Sequence, residues 1–201
     1  MADVEFTAYH GTCSRHRQSI ERFGFSPGLV TYRNDHWLGQ GVYFFELEDL
    51  AIWWANDLSR KLQNRGTSPL VYACDISVNQ DQYIDLDDSR SLDKFWDYCI
   101  DLIETINEDT SIPKKPIFTD QKLRAILFDY YKNENNIFVI AYTFKKSTTT
   151  FAKKRSYADL KLLKTVGAAL DLGYKERQIC VSSKDCLGPP TLVYSEDGEV
   201  I

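Results

Sequence analysis

Apolar positions recur along this chain at two periods, near two for strands and near 3.6 for helices. Residues 5–10, EFTAYH, alternate weakly and predict a short strand with His10 at its C-terminal end. A helix over 15–23 follows, with Ser14 as its cap, Ile20 and Phe23 on a narrow apolar stripe, and Gly24 just past its end. Residues 26–41, SPGLVTYRNDHWLGQG, predict a long loop, and long ordered loops in compact domains are usually functional. VYFFEL (42–47) predicts a short apolar strand. Residues 48–64 predict a helix with Leu50, Ala51, Trp54, Ala55 and Leu58 on one face.

The second half continues in the same way. PLVYACDIS (69–77) predicts a buried strand, and 82–88 a short extended piece. Helices are expected over 91–106, capped by Ser91, and over 120–133 and 156–173. Strands are expected over 136–144, 177–183 and 191–194. No internal repeat, low-complexity tract or linker interrupts the chain, so 1–201 is expected to be a single domain. Strands and helices do not alternate regularly, which argues for α+β rather than a doubly wound sheet.

Composition narrows the function classes. At 201 residues the chain has room for one sizeable core and little for two. The net charge of −5 argues against broad phosphate-backbone binding, which needs a basic surface. The densest basic stretch, KKSTTTFAKKR (145–155), reads as a solvated loop and leaves a local nucleic-acid contact open. Five cysteines at wide spacings form no C-x-x-C, so neither a zinc ribbon nor a redox pair is supported. Cys74, Cys99 and Cys180 lie in apolar runs, where a thiol packs as a small hydrophobe. A reducing, cytoplasmic setting is expected. The first ten residues carry no signal-peptide pattern, and no apolar run reaches membrane-span length, so no membrane association is expected. With three histidines in all, no metal site is expected.

The candidate chemistry gathers around His10. His10-Gly11-Thr12 sets a side chain that can donate or accept beside a backbone without a Cβ, which a planar ligand can approach closely. Gly41-Val42-Tyr43 opens the next strand with an aromatic that can stack. Trp54 lies eleven residues further on. Two aromatics on opposite walls can sandwich a flat ring, and a cationic ring gains further from their faces. Trp53 and Trp54 are adjacent on a helix and face different directions, so Trp54 is assigned to the pocket by spacing and Trp53 to the core.

YHGT, WLGQGVYFF, the A-x-x-W-A pattern at 51–55 and RQICVSS together resemble the ADP-ribosyltransferases of the diphtheria-toxin and poly(ADP-ribose) polymerase class. That class carries a His-Tyr-Glu triad on three strands. The resemblance spans most of the chain, though residues 85–135 match no part of it. It implies ADP-ribosyltransferase-like split antiparallel β-sheets flanked by helices, with NAD as co-substrate. It assigns His10 to the adenosine-side ribose of NAD, Gly11 to the nicotinamide amide and Thr12 to the same motif, Gly41 and Tyr43 to the second motif, and Trp54 to the second stacking aromatic. Arg33, in the long loop, becomes a candidate for the pyrophosphate, against the plain reading of a solvated arginine.

Two positions depart from the family pattern. Ala51 stands where a serine often holds the nicotinamide amide. The third motif normally carries the catalytic Glu, and here the strand reads ERQICV, with Gln178 aligned to that position. Glu176 lies two residues earlier and, at strand period, on the same face. Cleavage of the nicotinamide–ribose bond passes through an oxocarbenium-like state that a nearby carboxylate stabilises. A Gln can hold a hydroxyl but brings no charge. The resemblance therefore implies mono-ADP-ribosyl transfer to a macromolecular acceptor, by a toxin- or effector-like enzyme with an antitoxin or immunity partner as a possibility by analogy. The acceptor is left open between protein and nucleic acid. An inactive NAD- or ADP-ribose-binding module, or an interaction domain, stays an alternative.

Overall fold

The computed structural model describes residues 3–31, 36–108, 120–146 and 174–196. Seven strands are β1 (Asp3–Cys13), β2 (Val42–Phe45), β3 (Pro69–Asn79), β4 (Tyr83–Asp85), β5 (Val139–Lys146), β6 (Tyr174–Val181) and β7 (Thr191–Ser195). The helices are α1 (Arg17–Phe23), α2 (Glu48–Ser59), α3 (Ser89–Glu108) and α4 (Asp120–Asn135). The fold is α+β, as the irregular succession of elements predicts. The strands lie in the order β4-β5-β6-β2-β1-β3-β7. β4 and β5 run parallel and the other neighbours antiparallel, so the sheet is mixed rather than purely antiparallel.

The expected split into antiparallel sheets is not found: the seven strands form one sheet, crossed only by a narrow seam. β1 pairs with β3 continuously from Asp3↔Asn79 to Cys13↔Pro69. β1 and β2 meet in one register pair, Tyr9↔Phe45. Two well-paired halves, β3–β1 with β7 and β2–β6–β5 with β4, are therefore joined at a single point.

Burial follows the strand period. Cys74, Ile76 and Val78 of β3 are buried, while Asp75 and Ser77 between them are exposed. On one face Phe25, Phe44, Leu70, Tyr72, Ile76 and Ile179 form the largest cluster. On the other, α3 and α4 bring Phe95, Phe128 and Tyr131 down onto Ile140 and Cys180. Phe95 and Phe128 stack at 4.5 Å between ring centres. Each such side chain removed from water contributes about 1.5–3 kcal/mol. α2 uses its small residues instead, laying Ala51 and Ala55 against Phe45 and Val71.

Several boundaries differ from the sequence reading. Ser14 does not cap α1. It opens a 3-10 turn over Ser14–His16, and its Oγ accepts from the Ser68 amide at 3.1 Å. Ser91 lies inside α3 rather than before it, and its hydroxyl donates to Asp88 at 3.2 Å. Both serines found partners outside the cap position, as short polar side chains readily do. The helix expected over 48–64 ends at Ser59, with a separate 3-10 turn at Leu62–Asn64. Gly24 does close α1, at φ 70°, with its amide bonded to the Ile20 carbonyl. The helix expected over 156–173 lies outside the described residues. All five cysteines are buried and free. No helix among the described residues is long and apolar enough to cross a membrane.

Candidate active site

Past the Tyr9↔Phe45 pair, β1 and β2 part, and a cleft opens between His10-Gly11 on one side and Gly41–Tyr43 on the other. Val30, His36, Trp37, Phe45, Trp54 and Gln178 complete its lining. Its volume is about 240 Å³. Small-molecule sites run roughly 300–1,000 Å³, so this space suits a single ring or sugar rather than a larger molecule.

His10 spans the fork. Its Nδ1 lies 2.8 Å from the Tyr43 carbonyl oxygen. A carbonyl only accepts, so Nδ1 carries the proton and Nε2 of the neutral ring is an acceptor. The ring packs edge-on against Phe25 at 4.9 Å and Phe44 at 5.7 Å. Burial pushes its pKa down to about 4, against the opposing pull of the Tyr43 carbonyl and with a small repulsion from His16. Near neutral pH, His10 therefore offers an uncharged acceptor, suited to a ligand hydroxyl.

Tyr43 supplies a ring rather than a hydroxyl. Its hydroxyl oxygen accepts from the Leu38 amide and its O–H donates to the Gly39 carbonyl, both at 2.7 Å. Burial, with Cys180 and Asp129 adding, raises its pKa beyond the ordinary phenol range, so it stays protonated. The two bonds fasten the loop before β2 to the strand. His36 lies over the same ring, 5.2 Å away and tilted, and its Nδ1 is 3.0 Å from Gln40 Oε1. Gln40 in turn donates to the Val30 carbonyl at 2.7 Å.

An ion pair between a buried lysine and a partly exposed aspartate clamps this loop to α4. Asp129 Oδ1 accepts from the Gln40 amide at 2.6 Å. Lys132, 5% exposed, donates to the Gln40 carbonyl at 2.5 Å and lies 3.0 Å from Asp129. The fit depends on Gly39, at φ 77°, where a Cβ would stand 2.4 Å from Asp129 Oδ1.

The third strand presents Gln178 to the cleft and keeps Glu176 behind it. Gln178 Nε2 donates to Glu176 Oε1 at 2.7 Å, as the shared face of alternate strand residues requires. Glu176 is 1% exposed and does not line the cleft. With its NH₂ turned to a carboxylate, Gln178 keeps its carbonyl oxygen as the acceptor for a ligand. Arg177 between them is bound to Asp85, Asp87 and Tyr83, which ties β6 to the β4 end of the sheet. Burial works against its charge, but Asp85 and its neighbours raise its pKa above the ordinary value.

Gly11 lines the cleft, as its place beside His10 predicts, and has a packing task as well. A Cβ there would lie 2.2 Å from the Ala51 carbonyl oxygen. Its bareness lets α2 pack onto β1, whatever the ligand does. Ala51 is fully buried beneath it and Thr12 is 3% exposed, and neither lines the cleft. Gly41 is equally constrained, since a Cβ would meet Cys180 Sγ at 2.6 Å. Trp54 is half-buried, 6.3 Å from Phe45. Trp53 is 48% exposed, so its assignment to the core is corrected. A helix resting on alanines has no room for a second indole beneath it.

The cleft thus gathers His10, Gly11, Gly41, Tyr43, Trp54 and Gln178. Glu176 joins through Gln178, and Arg33 lies outside the described residues. His36, Trp37, Phe45 and Val30 were missed. Phe45 carried a signal, as it follows Tyr43 by two residues on one strand face. Among the described residues no group of His, Cys, Asp and Glu is arranged to hold a metal ion.

No family model and no solved structure matches the chain. A 55-residue stretch, 27% of the chain, is 42% identical to the uncharacterized protein MJ0359 of Methanocaldococcus jannaschii, and the chain covers 24% of that relative's length.

Proposed function

We propose that the protein is an NAD-dependent mono-ADP-ribosyltransferase. The observation that carries the reading is one cleft lined by His10, Gly11, Tyr43, Trp54 and Gln178, drawn from β1, β2, α2 and β6. In this reading the nicotinamide lies among the Tyr43 and Trp54 rings, whose faces favour its positive charge. His10 Nε2 accepts from the ribose on the adenosine side. Gln178 accepts from a hydroxyl of the nicotinamide ribose. Nicotinamide leaves as the C1′ bond breaks, and a nucleophile of a macromolecular acceptor takes its place. Glu176 acts through Gln178, fixing the amide and lending negative charge to the oxocarbenium-like state. A bacterial toxin or effector with a neutralising partner fits this chemistry by analogy. The test is incubation of the full chain with adenylate-labelled NAD and a cell lysate. Nicotinamide release with label on protein or nucleic acid is the expected result, and protease or nuclease treatment identifies the acceptor. No nicotinamide release and no NAD binding would overturn the reading.

One feature favours a second reading. The residue facing the cleft on β6 is an uncharged Gln, with its carboxylate neighbour 1% exposed. An NAD- or ADP-ribose-binding module would need nothing more. NAD binding by calorimetry without nicotinamide release would support it.

A further inference from the structure

Trp37, in the loop before β2, lines the cleft and is 47% exposed. Arg124 of α4 sets its guanidinium carbon 4.3 Å from the centre of that indole. None of the ion pairs among the described residues includes Arg124. Its Nε is buried with no hydrogen-bond partner. A buried cationic donor left unmatched is costly, and a ligand anion would match it. Through Trp37, Arg124 adjoins the cleft without lining it. Trp37 packs on Phe144 at 4.6 Å, and Phe144 and Tyr142 lie opposite Glu176 and Gln178 in the β5–β6 register. The Asp129–Lys132 clamp on Gln40 holds this loop to the same helix that carries Arg124.

We propose that Arg124 and Trp37 form a phosphate-binding rim of the cleft. The planar guanidinium takes a phosphoryl group through two N–H donors, and the indole packs the sugar or ring attached to it. The identity of the ligand rests on the transferase reading. The phosphate is either the pyrophosphate of NAD or a phosphate carried by the acceptor.

Calorimetry on the full chain tests this with two separate probes, inorganic pyrophosphate and nicotinamide riboside. Arg124→Gln should weaken pyrophosphate binding about 10–100-fold and leave nicotinamide riboside unchanged. Arg124→Lys should recover part of the loss, and Trp37→Leu should also weaken it. NAD displacing pyrophosphate assigns the rim to the donor, whereas binding of pyrophosphate alongside NAD assigns it to the acceptor. Pyrophosphate binding equal to wild type in both Arg124→Gln and Trp37→Leu, each folded by melting, overturns the rim. So does a wild-type chain that takes no pyrophosphate at millimolar concentration. Arg124-dependent pyrophosphate binding with no uptake of nicotinamide riboside keeps the rim and sinks the transferase reading.

Discussion

His10 and Gly11 are neighbours that both line the cleft, one bringing an acceptor to it and the other also letting a helix close on the strand. The His10 pKa of about 4 makes a pH prediction with a definite sign. Above pH 6.5 the ring is neutral folded and unfolded alike. As pH falls from 6.5 to 4, the unfolded chain takes a proton that the folded chain refuses, so stability drops by about 3 kcal/mol. His10→Gln should flatten that part of the stability curve, read by urea denaturation across the range. An unchanged slope would mean that His10 titrates normally. Gly11→Ala should cost about 1–3 kcal/mol or more, because the new methyl meets the backbone of α2, and a lower melting temperature checks it. Trp54→Ala should weaken NAD binding, while Trp53→Ala, at an exposed position, should change binding and melting little; titration and melting of both separate them. His10, Tyr43 and Trp54 were legible in the sequence because spacing fixes which face each occupies. His36 was not, because a loop residue reaches Tyr43 only through closure of the chain around it.

Elements lock the cleft more than its lining does. Lys132 falls in the helix expected over 120–133, and periodicity cannot separate a solvated lysine from a buried one. In the fold it holds the Gln40 carbonyl and Asp129. Lys132→Met should destabilise by roughly 1–3 kcal/mol, since it leaves Asp129, itself partly exposed, without its cation. Hydrogen exchange should then quicken at residues 38–41 ahead of the rest of the molecule, and unchanged exchange there would remove the clamp's role. The strands were legible from β-branched and aromatic runs, including VYFF and the strand after residue 136. Helix starts were less so, since Ser14 and Ser91 satisfied the cap pattern but bonded elsewhere.

At the scale of the molecule, fold class followed from the irregular order of elements, but neither the parallel β4–β5 pair nor the continuity of the sheet did. Both depend on which strands come to lie side by side, which local pattern does not encode. The Tyr9↔Phe45 seam should be the weakest line of the sheet. Hydrogen exchange should show faster opening at Phe44 and Phe45 than across Thr7–Gly11 against β3, and equal protection would mean that the seam is as firm as its neighbours. The pairing scheme also has a consequence for synthesis. Each half of the sheet borrows a late strand: β6, at 174–181, joins β5 to β2, and β7, at 191–195, completes the flank of β3. A nascent chain that has emerged only to β5 holds β2 without the neighbour that carries Gln178. Such a chain exposes open strand edges and is prone to pair with others. The wall of the cleft that carries Gln178 comes into being only once β6 has been made, so a copy halted at β5 has an unfinished cleft.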